Sequence, residues 1–174
     1  MAHKMRIPKS KVKKLSKTFL GALIILCALG YNLYHESQTE SSKRFEVTLN
    51  RCVDGDTAWF NIDGKKTKVR FLYIDTPEST KTIEPYGKEA SHYVKTQLEN
   101  AQTIELEYNP EGNQKDKYNR TLAWVFIDHV LLQEKIASQG YCKKFYDYGC
   151  NYTYKSIIIK ADQEAKRKGI GLYS

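Results

Sequence analysis

Apolar and polar residues alternate with a period of two along much of the chain after residue 44, which is the pattern of half-buried β-strands. Phe45, Val47 and Leu49 show this alternation first. The pair Asp63-Gly64 lies between two segments rich in β-branched and aromatic residues, and such a pair favours a tight hairpin turn. The pattern therefore predicts five strands, at residues 45–49, 57–62, 65–74, 103–108 and 121–127.

Three other segments have helical periodicity. The first covers residues 87–100, the second is a short segment at 130–139 that ends before Gly140, and the third covers 154–168 and ends at Gly169, a residue typical of helix C-caps. The residues expected to face the core are Ala90, Tyr93, Val94 and Leu98 in the first helix, and Ile157, Ile158, Ala161 and Ala165 in the third.

The predicted order is three strands, a helix, two strands and two helices. Five short strands with a helix between the third and the fourth are typical of a small Greek-key barrel of the OB type. We therefore expect an α+β, mainly β domain at residues 44–174, built as a five-stranded OB-type Greek-key β-barrel with three α-helices. An export or anchor helix is expected before it.

The expectation of an export or anchor helix rests on the N-terminal segment. The stretch from Lys4 to Lys17 is cationic and has no acidic residue, and the 11 apolar residues 19–29 follow it. A cationic stretch before a short apolar one is typical of an export signal. Extended to Tyr34, the run would be about 24 Å long as a helix, against roughly 30 Å for a bilayer core. Residues 1–34 are thus predicted to be a cleaved signal peptide or an uncleaved signal-anchor, with a buried core helix as the alternative, and residues 35–43 are predicted to be a polar linker.

Net charge alone does not identify a partner. The formal charge is +8, but residues 1–43 hold eight basic and two acidic residues, which leaves 20 basic and 18 acidic residues for 44–174. Most of the excess therefore lies outside the predicted domain, and any nucleic-acid reading must rest on local groups of residues.

The domain contains an odd number of cysteines, Cys52, Cys142 and Cys150. Cys142 and Cys150 are close enough in sequence to close a small disulfide loop in an oxidising compartment, and two free thiols are the alternative. No CxxC pair or histidine cluster indicates zinc.

Acidic residues gather where predicted strands begin and end. Asp54 and Asp56 precede the second strand, and Asp75 and Glu78 lie around the end of the third. Hard divalent cations prefer several oxygen ligands, so these residues suit a weak, open calcium site. The alternative for each pair alone is an ordinary turn or helix cap.

Two arginines accompany these acids. Arg70 lies within a predicted strand and Arg120 directly before one, so both need partners. Guanidinium groups bind phosphate oxygens in a bidentate manner, and together with a metal and a carboxylate they suit phosphodiester hydrolysis. Structural salt bridges are the alternative.

A loop rich in tyrosine and lysine supports a nucleic-acid partner. Residues 141–155 interleave five tyrosines with Lys143, Lys144 and Lys155. Aromatic rings and cations together suit single-stranded nucleic acid, because stacking tolerates any base. Packing of the tyrosines against one another is the alternative for each ring.

Four motifs now point to a known family. They are DGDT (54–57), VRFLYIDTPE (69–78), YGKEA (86–90) and DKYNRTLAWVF (116–126). In this order and spacing the chain resembles the staphylococcal nuclease (thermonuclease-like) family over about residues 45–174, and it looks like an exported or membrane-anchored member.

The resemblance implies a role for each site residue. Asp56, Asp75 and the backbone carbonyl of Thr76 would bind calcium, with Asp54 close behind them. Glu78 would act as the general base or orient the attacking water. Further groups would contact the substrate: Arg70 and Arg120 at the phosphate, Arg120 also at the leaving group, Lys117 and Tyr118 at the nucleotide phosphate, and Tyr146 and Tyr148 at base and sugar.

The resemblance also implies an activity: calcium-dependent hydrolysis of DNA and RNA, preferably single-stranded, with little sequence specificity and with 3′-phosphate products. We expect a monomer that is secreted or held on the outer side of the cytoplasmic membrane. The alternatives are a non-catalytic OB-fold module that binds single-stranded nucleic acid, and a surface adhesin without metal dependence.

The chain departs from the family pattern in a few places. Asn119 stands where glycine is usual, and asparagine tolerates the positive φ of such a turn. Asp147 places a negative charge between the two substrate tyrosines, and Cys142 and Cys150 bracket that loop. The loop 79–85 also differs and has Lys81 as its only basic residue.

Overall fold

The computed structural model describes residues 44–174 and, in the N-terminal part, residue 22 and the helical residues 25–28. The rest of the predicted export or anchor segment and the linker 35–43 lie outside the described residues. Within the described part of the chain, no helix has the length and apolar character needed to span a membrane.

Within residues 44–174, nine short strands form the sheets. They are β1 (Phe45–Glu46), β2 (Thr48–Cys52), β3 (Thr57–Ile62), β4 (Lys65–Phe71), β5 (Ile74–Asp75), β6 (Ile104–Glu107), β7 (Thr121–Ile127), β8 (Val130–Leu131) and β9 (Lys144–Phe145). All five predicted strands are present. The first is split at Val47, and the third ends at Phe71 because Tyr73 has a φ of 72° and turns the chain before β5.

The main sheet follows the order β1-β6-β7-β4-β3-β2, and β8 pairs with β7 beside this path. Only Val47 separates β1 from β2, so one stretch of chain pairs with β6 at its start and with β3 afterwards. The path of pairing therefore begins and ends on the same stretch. This agrees with a mainly β architecture of the OB type.

Three α-helices accompany the sheet in residues 44–174: α1 (Gly87–Asn100), α2 (Leu132–Ser138) and α3 (Lys155–Lys168). The prediction of helix from residue 130 was wrong at its start, since Val130 and Leu131 form β8. In α3 the prediction that Ile157 is buried was also wrong, because this side chain is 41% exposed while Ile158 and Ala165 are buried. Gly169 caps α3 at a φ of 64°, as expected.

The core lies between the sheet and the helices. Trp124, Phe60, Phe71 and Leu106 are among its largest fully buried side chains. A buried amide completes the sheet: Gln133 of α2 accepts a hydrogen bond from Val125 N and donates one to Ala123 O, both at 3.1 Å. This pairing holds α2 against β7, and it extends the hydrogen bonding beyond the point where β4 stops pairing.

The cysteines are not bonded to one another. Cys52, Cys142 and Cys150 are free thiols, with Cys142 buried. Of the two alternatives left by the sequence, the structure has free thiols.

Candidate active site

A cleft of about 820 Å³ opens where β3 begins and where β4 and β5 end, and it is bordered by the turn 115–120 and by the loop after β9. Its lining includes all eleven residues that the sequence singled out: Asp54, Asp56, Arg70, Asp75, Thr76, Glu78, Lys117, Tyr118, Arg120, Tyr146 and Tyr148. Residues spread over nearly a hundred positions thus share one cleft.

Three aspartates form the floor. Asp56 is almost fully buried, and its carboxylate accepts hydrogen bonds from Thr57 Oγ1 at 2.9 Å and from Thr76 N at 2.9 Å. Asp54 accepts one from the Asp56 backbone N at 3.1 Å. Gly55 is required between them, because a Cβ there would lie 2.7 Å from Thr76 Oγ1. The chain can therefore fold back tightly enough to bring Asp54 and Asp56 beside Thr76.

Arg70 binds this floor with most of its guanidinium. One terminal nitrogen lies 2.8 Å from Asp75 Oδ1 and 3.1 Å from Asp56 Oδ2, and the other donates to the carbonyls of Phe71 and Ile74. The residue is only 7% exposed. Arg70 therefore holds the two aspartates together in this structure, as the salt-bridge alternative expected, although it also lines the cleft.

The floor carries more negative charge than Arg70 offsets. Burial and the charge of Asp56 raise the pKa of Asp54 to about 7, and burial followed by the same charge raises the pKa of Asp75. Carboxylate oxygens in such a setting fit a hard divalent cation, which would lower the cost of ionising them. No group of three or more His, Cys, Asp or Glu side chains in the described residues has metal-binding geometry, so side-chain ligation here would rest on Asp56 and Asp75.

Glu78 lies at the rim of the cleft, and one of its two carboxylate oxygens is hydrogen-bonded within its own loop. Its Oε1 accepts hydrogen bonds from Ser79 N at 3.0 Å, Thr80 N at 2.7 Å and Thr80 Oγ1 at 2.6 Å. These bonds, that of the Thr80 hydroxyl first, lower the pKa of Glu78. The side chain is therefore ionised at neutral pH, and its orientation is fixed by its own loop.

A second glutamate supports that loop. Glu84 accepts a hydrogen bond from Glu78 N at 2.9 Å and forms an ion pair with Lys143 at 2.7 Å. Only glycine fits at position 87, because the Cβ of any other residue would lie 2.2 Å from the carbonyl oxygen of Glu78. The loop that carries Glu78 is thus tied to helix α1 and, through Lys143, to the segment directly before β9.

Arg120 is presented by a tight turn. Asp116 accepts hydrogen bonds from the backbone N of Tyr118 and of Arg120, both at 2.9 Å, and it pairs with Nε of Arg120. Asn119 has the expected positive φ, 60°. Among the described residues, none accepts a hydrogen bond from the two terminal nitrogens of Arg120, and these nitrogens are the fork that binds oxyanions.

Two tyrosine rings form one side of the opening. The rings of Tyr146 and Tyr148 are parallel within 1°, with centroids 5.9 Å apart, and Tyr148 is 76% exposed. Tyr146 N donates to Tyr73 O at 2.7 Å, which fixes this loop beside β5. On the other side, Tyr118 is 69% exposed with Lys117 Nζ 5.0 Å from its ring centroid.

Asp147 does not place an unpaired charge between the two rings. Its carboxylate forms an ion pair with Lys155 of α3 and accepts a hydrogen bond from Gly149 N. The loop therefore carries its acidic residue without an uncompensated negative charge near the rings.

Sequence reasoning missed several residues of the cleft. Asp116 was seen only as part of a motif, although an aspartate at the start of a tight turn often accepts a hydrogen bond from the backbone N–H two residues later, as in an Asx-turn. Glu84 gave no signal, because its partner Lys143 lies far away in sequence. Lys155 was named only as a cation of the tyrosine-rich loop, and its pairing with Asp147 was not predicted. Glu111, Lys115 and Tyr152 also line the cleft.

Several known proteins are similar to this chain in sequence. The family described as staphylococcal nuclease homologue matches residues 68–174. The SPbeta prophage-derived endonuclease YokF of Bacillus subtilis (strain 168) is 39% identical over 132 residues, which is 74% of this chain and 44% of that protein. The endonuclease YncB of the same organism is 38% identical over 76% of this chain and 63% of its own length.

A staphylococcal protein is matched more completely. The thermonuclease of Staphylococcus hyicus is 38% identical over 127 residues, which is 71% of this chain and 73% of that protein. This chain spans less than two thirds of the two Bacillus proteins. Since the family match covers more than half of its residues and the identity to the thermonuclease is well above 30%, this chain belongs to the staphylococcal nuclease family.

Proposed function

We propose that this chain is a calcium-dependent nuclease that hydrolyses phosphodiester bonds of DNA and RNA with little sequence preference and leaves 3′-phosphate ends. One observation carries the proposal: a single cleft contains Asp54, Asp56 and Asp75, the ionised Glu78 and the open fork of Arg120. The relatives named endonuclease and thermonuclease support it.

The residues of the cleft have different roles in the proposed reaction. Arg120 binds phosphate oxygens with its terminal nitrogens, and Lys117 adds positive charge beside it. Glu78 uses the oxygen that its loop leaves open to orient a water and accept its proton. Tyr146 and Tyr148 stack with the base and sugar, which requires no particular sequence.

We propose that the aspartates of the cleft bind the calcium ion. Asp56, Asp75 and the carbonyl of Thr76 would hold it, with Asp54 behind them, and it would supply positive charge toward the phosphate. Arg70 spans Asp56 and Asp75, so it keeps these two carboxylates close together and also borders the substrate.

The test is digestion of single-stranded DNA and RNA by the full chain in detergent, with millimolar calcium or with chelator, beside the variant Glu78→Gln. We expect cleavage only with calcium, a loss of at least about 10²-fold in the variant, and products whose 3′ ends become extendable only after phosphatase treatment. Strand binding without cleavage would favour the binding module. Cleavage that ignores chelator would refute the calcium assignment.

We further propose that the pairing path closes as a five-stranded OB-type barrel, that the protein is a monomer, and that residues 1–34 carry it to the outer side of the cytoplasmic membrane. Immunoblots of culture medium and membrane fractions would test the last point. Protein in the medium without residues 1–34 would mean a cleaved signal, whereas full-length protein in membranes would mean an anchor.

A further inference from the structure

The outer face of strands β2, β3 and β4 carries an aromatic and basic strip. Register places Arg51 opposite Trp59 and Trp59 opposite Lys68, so these three side chains form one row across the strands. A second row contains Thr48, Asn61 and Lys66, with Asn61 Nδ2 donating to Thr48 Oγ1 at 3.0 Å. None of the six residues is acidic.

The strip starts at the candidate active site. Thr57 pairs with Arg70 in the row before that of Trp59 and Lys68, and side chains two residues apart on a strand share a face. Along β4, Arg70, Lys68 and Lys66 therefore follow one another on the same face in steps of about 7 Å. Arg70 lines the cleft, so the strip continues from it toward the Asp63-Gly64 turn.

The chemistry of the strip matches a single nucleic-acid strand. The Trp59 ring is partly exposed, with the Arg51 guanidinium carbon 5.6 Å from its centroid, while Arg51 and Lys66 are exposed and Lys68 is half-buried. Cations around an aromatic ring attract phosphates and leave a face on which a base can stack.

We propose that this strip, defined as Arg51, Trp59, Lys66 and Lys68, binds the part of a single-stranded substrate that extends beyond the phosphodiester being cleaved. The inference rests on the proposed nuclease function and names a binding surface outside the cleft. It predicts that long strands bind more tightly than short ones because they reach the strip.

The binding test uses the full chain carrying Glu78→Gln, so that the strand stays intact. Fluorescence anisotropy is measured against salt for a long single strand and for one too short to leave the cleft. Adding Lys66→Gln and Lys68→Gln should lower the salt slope for the long strand by about 0.7 per lysine and leave the short strand unaffected. The matched control is Lys160→Gln with Lys166→Gln, which removes two exposed charges from α3.

Tryptophan fluorescence gives a second readout. The chain has two tryptophans, and Trp124 is fully buried, so quenching by a bound strand reports on Trp59. The long strand should quench the fluorescence, the short strand should not, and Trp59→Phe should abolish the effect.

The outcomes separate the two proposals. The strip is not a binding surface if the substitutions of Lys66 and Lys68 weaken the binding of long and short strands equally, or no more than the control substitutions do, or if the long strand causes no quenching. In each of these cases the nuclease function still stands, provided that the active chain cleaves DNA. If the substitutions of Lys66 and Lys68 weaken binding to anionic lipid vesicles but not to the long strand, the strip binds membrane instead. If the chain neither binds nor cleaves any strand, both proposals fail.

Discussion

The two arginines of the cleft are held in opposite ways. Arg70 is buried in β4, and both terminal nitrogens are bonded to carboxylates and backbone carbonyls. Arg120 stands on a surface turn, contacts Asp116 through Nε and keeps its terminal nitrogens open. One side of the cleft is therefore fixed by the register of strands, and the other by a local turn.

This difference separates stability from function. A buried ion pair loses much when one partner is removed, because the other partner is left charged in a dry environment. A partly exposed pair on a turn contributes little to stability, so its residues are free to serve the substrate. The same residue type should thus give two different phenotypes in one cleft.

The largest effect is expected for Arg70→Ala. Removal leaves Asp56 and Asp75 without their shared cation, which should lower the free energy of unfolding by about 3–5 kcal/mol and abolish cleavage. Urea denaturation in chelator, followed by assays on the folded fraction, measures both. A variant as stable as the parent would show that Arg70 does not hold the floor together.

Arg120→Ala should have a large effect on activity alone. We expect cleavage to fall by about 10²–10³-fold, the usual loss when one charge-stabilising donor is removed, while the unfolding free energy changes by less than about 1 kcal/mol. Steady-state kinetics and urea denaturation of the same preparation check this. Loss of stability comparable to that of Arg70→Ala would erase the contrast between the two sides.

The smallest effects should come from the turn itself. Asn119→Val places a β-branched residue at a φ of 60°, which costs about 1–2 kcal/mol and should reduce cleavage several-fold by displacing Arg120. Asn119→Gly is the matched control and should retain both activity and stability. Equal behaviour of the two variants would mean that the turn does not position Arg120.

Much of the fold was predictable because local patterns agreed with tertiary packing. Helix α1 has the predicted bounds, since its apolar stripe and the core coincide. The helix at 130–139 was predicted too early, because Val130 and Leu131 fit both periodicities and the positive φ angles of Asp128 and His129 decide for a turn and a strand. Strand β9 could not be foreseen, since two residues pair with β5 only through tertiary contact.

The candidate site was predictable in membership and less so in bonding. All eleven residues that the motifs singled out line the cleft, and their roles stay predictions. What the sequence did not reveal is which groups are already paired, as with Arg70 on the aspartates or Asp147 on Lys155. These partners are close in sequence, but their pairing depends on how the turns between them bring the side chains together, and no residue pattern encodes that geometry.

The stretch from Phe45 to Cys52 has a consequence for the order of folding. Its later part pairs with β3, a few residues away, whereas Phe45 pairs with Leu106. Contacts between distant segments form slowly, because the entropy cost of closing a long loop comes before the favourable free energy of the contacts. Until β6 has formed, the two residues of β1 have no pairing partner, so the joining of this stretch to β6 should be a late step of folding.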